Sequence, residues 1–524
     1  MAMAQRWSLL IILLLGTVLL ASGTLSGSGS ASASASAQQP VYGGTLVVAE
    51  MAEPPGLDPT TNPAAAIDRI LQHNLYEGLV KIDPQGNILP ALAEEWEVSP
   101  DGLEYTFHLR RGVKFHNGRE LVAEDIKFTF ERAMDPETGH PHPEYYANVA
   151  EIEVLDKYTV RFRMKAPTPG FLYYLTEGDS IIVPEEAVET LASQPIGTGP
   201  FKFVEWVRGD HVTLERFEDY YGTDAQGNKL PYLDRVIFKF IPDPSAALAA
   251  LQAGNVDVII LTGENVPVVE ADPNLKIVSG PQNLVQIMAI NNAREPFDDL
   301  RVRQAICHAL DRERIIEGAM FGYGTPIGSH LTPVSPYYAD MLWVCEYDPE
   351  RAKELLAEAG YPEGFKAKVK LPQPYEPHIR TGEIIADQLR EVGIELELEI
   401  IEWGRWLSEV YTNADYDLTV IGHIGRLDPA AMLSGYSPAR PDYYFRRGYS
   451  NPELDELMIK GETTVNEAQR RVIYTIVQWI LAKDAVNYFI QDPHLIMAMQ
   501  KDVENWRIFP IYIDDVTEVY RSRR

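Results

Sequence analysis

Cysteine is scarce in this sequence: its 524 residues include only Cys307 and Cys345. A small scaffold held together by many disulfides is therefore excluded, and no C-x-x-C pair is present to suggest a zinc or redox motif. In an oxidising compartment the two cysteines could form one disulfide. The sequence leaves this pairing open, because it does not give the distance between their alpha carbons.

Positive charge is also in short supply. The chain has 46 Lys and Arg residues against 76 Asp and Glu residues, for a formal net charge of -30 at pH 7. Nucleic-acid binding is not expected, because contacts with phosphates require a basic surface. An acidic surface favours solubility and is compatible with a cationic ligand.

Long hydrophobic runs are absent beyond the N-terminus. Arg6 precedes an apolar stretch at residues 9–21, which is shorter than the roughly 20 residues of a membrane-spanning helix. Ala35-Ser36-Ala37 has the A-x-A pattern of a cleavage site. Residues 1–37 are therefore predicted to be a secretory signal peptide, and the mature protein is expected in the periplasm or secreted. An uncleaved anchor with a flexible stalk remains the alternative.

Catalytic signatures are missing as well. The chain contains no H-E-x-x-H, G-x-S-x-G or Walker A motif, so an enzyme is not expected, and neither a cofactor nor a metal site is predicted. His140-Pro141-His142 offers two metal-ligand side chains, but we interpret it as an exposed turn. A secreted hydrolase with an unrecognised active site remains the rival function.

The clearest local pattern lies at residues 103–134. Residues 103–110 alternate without a break, which predicts a half-buried strand, and a short strand at 113–115 with an Asn117-Gly118 turn is expected next. The period then lengthens to that of an amphipathic helix with one apolar face. The apolar residues of that face are Val122, Ile126, Phe130 and Ala133.

Strands and helices alternate further along the chain. A strand at 236–241, a helix at 244–253 and a strand at 256–261 predict an α/β unit. Helices are predicted at 301–310 and 467–482, and strands at 284–291 and 487–491. The predicted fold class is therefore α/β.

Several phrases resemble the family 5 extracellular solute-binding proteins of ABC transporters, the dipeptide, oligopeptide and nickel-binding type. They are LDP at 57–59, LYEGLVKIDPQGNILPALAEEWEVSPDGLEYTFHLRRGVKFHNG at 75–118, AEDIKFTFER at 123–132, IGTGPFKF at 196–203, PFDDLRVRQAICHALDRERI at 296–315 and YDPERAKELLAEAGYPEGF at 347–365. They occur in the family's order over almost the whole mature chain. The resemblance implies a receptor that captures a small peptide-like, opine-like or oligosaccharide ligand and delivers it to a membrane permease.

The resemblance also implies a two-lobed, type II periplasmic-binding-protein-like fold with an extra subdomain inserted in the first lobe. Lobe I would comprise residues 38–76, 195–288 and 491–524. The insert would comprise residues 77–194, and lobe II residues 289–490. The ligand is expected in a cleft between the lobes, and a monomer is expected.

One family position bears directly on the ligand. In peptide-binding relatives an aspartate in a G-W-x-x-D phrase pairs with the ligand's amino terminus, and the matching phrase here runs from Gly422 through His423 to Arg426. A guanidinium there would repel an ammonium group and attract a carboxylate or phosphate. Asp428 is the candidate for a shifted acid. A salt bridge between Arg426 and Asp428, or a solvent-facing Arg426, is the alternative.

The resemblance implies five further site residues. Trp403 matches a position that packs on the ligand, although a core role is as common for Trp. Arg380 aligns loosely with an arginine that clamps the ligand carboxylate in some relatives, and a surface arginine is the alternative. Ala64 and Ala65 match a loop that lines the pocket. Tyr488 lies near the second crossing between the lobes, where it donates a hydrogen bond or fills the hinge.

Overall fold

The computed structural model describes residues 39–522. The predicted signal peptide at residues 1–37 lies outside the described residues. No helix among residues 39–522 combines the length and apolar composition that a membrane-crossing segment requires.

The regular elements alternate along the described chain. The strands are β1 Thr45–Glu50, β2 Val80–Ile82, β3 Ile88–Pro90, β4 Ala93–Val98, β5 Glu104–Leu109, β6 Val149–Asp156, β7 Thr159–Met164, β8 Phe201–Val207, β9 His211–Arg216, β10 Arg235–Phe240, β11 Val258–Ile260, β12 Leu275–Pro281, β13 Leu284–Ile290, β14 Gly324–Pro326, β15 Phe365–Gln373, β16 Ile394–Glu402, β17 Leu418–Ile424, β18 Asn487–Gln500, β19 Val503–Glu504 and β20 Tyr520–Arg521. The α-helices are α1 Ala65–Leu71, α2 Ala123–Met134, α3 Phe171–Tyr174, α4 Pro244–Gln252, α5 Val266–Glu270, α6 Leu300–His308, α7 Arg312–Met320, α8 Pro349–Glu358, α9 Glu376–Arg390, α10 Trp403–Trp406, α11 Pro429–Met432, α12 Pro452–Thr463 and α13 Glu467–Lys483.

The largest sheet within residues 39–522 contains 12 strands. Its hydrogen-bonded order is β16-β15-β17-β13-β18-β11-β1-β10-β9-β8, and β12 and β14 pair with β18 beside this path. Strand β18 pairs with β13 and β14 along its first half and with β11 and β12 along its second half. One strand therefore connects the part of the sheet from the segments predicted as lobe I with the part from the segment predicted as lobe II.

Asp492 lies in the middle of β18, where the two halves of the sheet meet. It is fully buried and accepts hydrogen bonds from the backbone N–H groups of Asn283 and Leu284 at 3.1 and 3.0 Å. Burial raises the pKa of Asp492 to about 7, although these hydrogen bonds oppose the rise. The carboxyl group thus ties the turn before β13 to the centre of β18.

The segment predicted as the insert, residues 77–194, contains a separate four-stranded antiparallel sheet in the order β4-β5-β7-β6. In β5, Tyr105, Phe107 and Leu109 are buried and the residues between them are partly exposed, which confirms the predicted alternation. In α2, Ile126, Phe130 and Ala133 are buried, as the helical period predicts. The predicted strand at residues 113–115 is wrong: the segment forms a single bridge, between Lys114 and Glu120.

The described residues form several separate hydrophobic cores. One core lies under β5 and β7 and includes Phe107 and Phe162. A second core surrounds β1 and β10, and two further cores lie on the two sides of β13 and β17. A disulfide links Cys307 of α6 to Cys345, at a sequence separation of 38 residues. The pairing that the sequence left open is therefore formed.

The insert packs directly against lobe II at a glycine. A Cβ atom on Gly170 would lie 2.7 Å from Cγ of Asp428, closer than real Cβ atoms approach. Asp428 is 1% exposed and pairs with Arg470, which is also 1% exposed, at 2.7 Å. Its side chain also accepts hydrogen bonds from the backbone N–H groups of Ala430 and Ala431 at the start of α11. Gly170 therefore allows the insert to rest on a fixed ion pair of lobe II.

Candidate functional site

A cavity with about 730 Å³ of empty space, part of it open to solvent, lies where lobe I, the insert and lobe II meet. Lobe I contributes α1, the loop before it and the C-terminal tail, while the insert and lobe II each contribute a turn. The lining residues are Pro59, Asn62, Pro63, Ala65, Asp68, Gln72, His142, Thr176, Glu177, Gly178, Asp179, Ile424, Gly425, Arg426, Ile511 and Tyr512. This is the interlobe position expected for a captured solute.

Arg426 enters the cavity just beyond the end of β17. Its guanidinium pairs with the Glu177 carboxylate of the insert at 2.9 Å, and both side chains are partly buried. Burial lowers the pKa of Arg426, but the Glu177 carboxylate outweighs this effect and the pKa is raised overall. Burial also raises the pKa of Glu177, against the opposing effect of Arg426. The pair joins lobe II to the insert across the cavity.

Asp179 and His142 form a second hydrogen-bonded pair. Oδ2 of Asp179 lies 2.6 Å from Nδ1 of His142, and this hydrogen bond raises the pKa of His142. Asp179 is 7% exposed, and its Oδ1 atom is buried and has no hydrogen-bond partner among the described residues. A buried carboxylate oxygen without a partner is costly, so a ligand donor at this atom would be stabilising.

Asp68 is the third acid of the cavity. It projects from α1 toward Gly178, and a Cβ atom on Gly178 would lie 2.2 Å from Cγ of Asp68. The surrounding protein desolvates the carboxyl group, and the Asp179 and Glu177 carboxylates repel its charge. Together these effects raise the pKa of Asp68 to about 8. Within the described chain, no cation forms an ion pair with it.

Of the eight site residues predicted from the sequence, the cavity is lined by Arg426 and Ala65. Ala64 is the N-cap residue of α1, directly beside the lining. The predicted alternative partner of Arg426, Asp428, pairs instead with Arg470. The structure thus surrounds Arg426 with three acids from other elements, which offset the repulsion that an isolated guanidinium would exert on an ammonium group.

The other predicted residues contact protein elsewhere. Trp403 stacks on Trp406 with ring centroids 5.0 Å apart. His423 is enclosed, its Nε2 atom bonds the Tyr444 hydroxyl, and burial lowers its pKa to about 3.

Arg380 and Tyr488 also have protein partners. Arg380 pairs with Glu264 of lobe I at 2.8 Å. The buried Tyr488 hydroxyl donates to the Leu310 carbonyl at 3.0 Å. None of these four residues, Trp403, His423, Arg380 and Tyr488, lines the cavity.

Sequence reasoning missed four charged residues of the cavity: Asp68, His142, Glu177 and Asp179. The expectation that His142 lies in an exposed turn is wrong, because it is partly buried and lines the cavity. All except Asp68 lie on loops or short turns of the insert, where no periodic pattern identifies them. No group of three or more His, Cys, Asp or Glu side chains within residues 39–522 is arranged to hold a metal ion.

Comparison with known proteins identifies the family. The model of the bacterial extracellular solute-binding proteins, family 5 (Middle), matches residues 87–443. The chain is 30% identical over 543 residues to the oligopeptide-binding protein AppA of Bacillus subtilis (strain 168), covering 96% of each chain.

Solved structures agree with this assignment. The substrate-binding protein CtaP of Listeria monocytogenes matches with a TM-score of 0.82 at 28% identity, covering 92% of this chain and 100% of that chain. DppA of Helicobacter pylori in complex with the peptide STSA matches with a TM-score of 0.72 at 28% identity, covering 92% and 99%. These matches confirm the two-lobed α/β fold. The chain belongs to the bacterial extracellular solute-binding proteins, family 5, and is a solute-binding protein of an ABC transporter.

Proposed function

We propose that the captured solute is peptide-like and carries groups of both charge signs. The observation that carries this proposal is the composition of the cavity. It presents Arg426 and His142 beside three acids, and one buried acid oxygen, Oδ1 of Asp179, has no hydrogen-bond partner within residues 39–522. A neutral oligosaccharide would supply no positive charge to Asp68, which forms no ion pair among the described residues.

The relatives support a peptide-like solute. AppA is named as an oligopeptide-binding protein, and DppA of Helicobacter pylori was solved with the peptide STSA. A free ammonium group suits the acids of this cavity, and a carboxylate suits Arg426 because a guanidinium can form two parallel hydrogen bonds to it. The acids come from α1 and the insert, whereas Arg426 comes from the end of β17.

We also propose that lobe I with its insert and lobe II move as two units about β13 and β18. The Arg426–Glu177 and Arg380–Glu264 ion pairs each join lobe II to the other unit. Contacts of this kind hold the lobes together over a ligand and separate when the hinge opens. The closed form would then dock on the membrane permease as a monomer in the periplasm or outside the cell.

Calorimetry on the mature protein tests the ligand class. The tetrapeptide STSA, its N-acetylated form and a neutral disaccharide are titrated separately, with a thermal-unfolding scan of each mixture. We expect STSA to bind and to raise the melting temperature, since a ligand that binds only the folded state stabilises it. Stabilisation by the disaccharide but not by the peptide would refute the proposal.

The same samples separate a receptor from the rival hydrolase. After incubation, the peptide is recovered, and its molecular mass and its amount are measured by mass spectrometry. A receptor returns STSA unchanged, in a molar amount equal to what was added. Cleaved peptide that accumulates beyond one equivalent of protein would establish an enzyme instead.

A further inference from the structure

The three acids of the cavity differ in their partners. Glu177 faces the Arg426 guanidinium at 2.9 Å, and Asp179 faces the His142 ring at 2.6 Å. Asp68 has no cation within 4 Å among the described residues, although its carboxyl group lies in the same cavity. Two of the three acids therefore have a nitrogen partner in the cavity, whereas Asp68 has none among the described residues.

A third negative charge in this space is unfavourable. Glu177 and Asp179 lie beside Gly178, whose backbone contacts the Asp68 carboxyl group. Like charges in a partly dehydrated cavity disfavour one another, so the Glu177 and Asp179 carboxylates oppose the ionisation of Asp68. Asp68 can be neutralised in two ways, by a proton or by a positively charged group of the solute.

We propose that Asp68 holds a proton in the empty cavity and that a cationic group of the solute displaces this proton when it binds. The inference rests on the proposed function, because it assigns the positive end of the peptide-like solute to Asp68 and to the unpartnered Oδ1 of Asp179. The proton passes from the Asp68 carboxyl group to the buffer, and the solute ammonium group takes its place. Capture of the solute is thus an exchange of one positive charge for another.

The charged groups around Asp68 act in opposite directions, and on balance they favour its protonated form. Glu177 and Asp179, from the turn after α3, disfavour its ionised form, while His142 and Arg426 favour it less strongly. The balance raises the pKa of Asp68 to about 8, so the group is mostly protonated near neutral pH. Tyr512 lines the same cavity from the C-terminal tail and contributes a hydroxyl group rather than a fixed charge.

A first experiment needs no solute. Proton uptake by the mature protein is measured by potentiometric titration from about pH 10 to about pH 6, for the wild type and for Asp68→Asn. We expect the wild type to take up about 1 proton more than the variant, because an ordinary aspartate would titrate near pH 4 and contribute nothing in this range. Equal uptake would overturn the proposal.

A matched control is Asp219→Asn. Asp219 is an exposed acid whose hydrogen bond to Lys114 lowers its pKa, so its removal leaves proton uptake in this range unchanged. If Asp68→Asn does not fold, wild-type protein labelled with ¹³C-aspartate replaces it. Two aspartate carboxyl resonances should then titrate near neutral pH, those of Asp68 and Asp492. If the resonance of Asp492 is the only one that titrates in this range, the proposal is overturned.

A second experiment measures the exchange itself. STSA is titrated calorimetrically into the wild type near pH 7 in two buffers of different ionisation enthalpy, and the slope gives the protons released per peptide. We expect close to 1 proton for the wild type and none for Asp68→Asn. Binding of STSA without proton release would overturn this inference and leave the peptide receptor intact. If no peptide binds and the disaccharide does, the proposed function fails, and the solute-free titration alone decides the state of Asp68.

Discussion

The substitution Gly170→Ala should weaken solute binding, although the added methyl group meets Asp428 and not the solute. The added Cβ atom would lie 2.7 to 2.9 Å from the Asp428 carboxyl atoms. The backbone at Gly170 has φ -79 and ψ -4, which alanine adopts without strain, so the clash is the only penalty. Asp428 cannot move aside readily, because Arg470 and two backbone N–H groups of α11 hold it.

The size of the effect follows from the place of the clash. Inserting a methyl group into a well-packed contact typically costs about 1–3 kcal/mol. In the proposed open form the insert is separated from lobe II, so this cost falls on the closed form alone. Closure then becomes less favourable by the same amount, and the apparent affinity falls by roughly 5- to 150-fold.

The assay is calorimetric titration of STSA, accompanied by small-angle scattering with and without peptide. The control is Gly280→Ala, whose added Cβ atom would meet no described atom closer than 3.7 Å. We expect the control to bind like the wild type and Gly170→Ala to show weaker binding and less compaction at equal peptide concentration. An unchanged affinity in Gly170→Ala would show that the insert does not rest on Asp428 when the solute is bound.

Three further predictions concern charge, acid and the disulfide. Arg426→Ala should weaken the binding of an anionic ligand group by more than tenfold, about 1.4 kcal/mol, and unchanged affinity in calorimetry would remove Arg426 from the site. Burial lowers the pKa of His378 to about 4, so the unfolded chain takes up a proton first as the pH falls. The free energy of unfolding that depends on neutral His378 is therefore fully present above about pH 6.5 and falls progressively toward pH 4, by up to about 3 kcal/mol. Denaturant titrations at several pH values should show a smaller fall in this free energy for His378→Gln than for the wild type. Replacing both Cys307 and Cys345 with serine should lower the free energy of unfolding by roughly 2–4 kcal/mol, and an equal midpoint in urea would contradict this.

Local elements were predictable because their signals are local. The alternation in β5 and the apolar face of α2 follow from side-chain geometry within a few residues, and both are formed. The pairing of strands was not predictable from periodicity. Strand β18 pairs with β13 about 200 positions earlier in the chain, and an alternating pattern carries no information about its partner.

The candidate site was predictable only where a family phrase marked it. Arg426 was found because it occupies the place of an aspartate in a recognisable phrase. Glu177 and Asp179 flank Gly178 in a short turn, and Asp68 is a single polar residue in a short helix. Each is unremarkable alone, and their chemistry arises only when the fold brings lobe I, the insert and lobe II to one cavity.

The shared strand β18 also sets the order in which the chain can complete its fold. Lobe I begins with β1, but the neighbouring strand β11 pairs on its other side with β18, which ends at Gln500. Lobe II likewise needs β18 beside β13. Neither sheet is complete until almost the whole polypeptide has been synthesised. A nascent chain of this design therefore keeps both sheets unfinished until its last strands have been made.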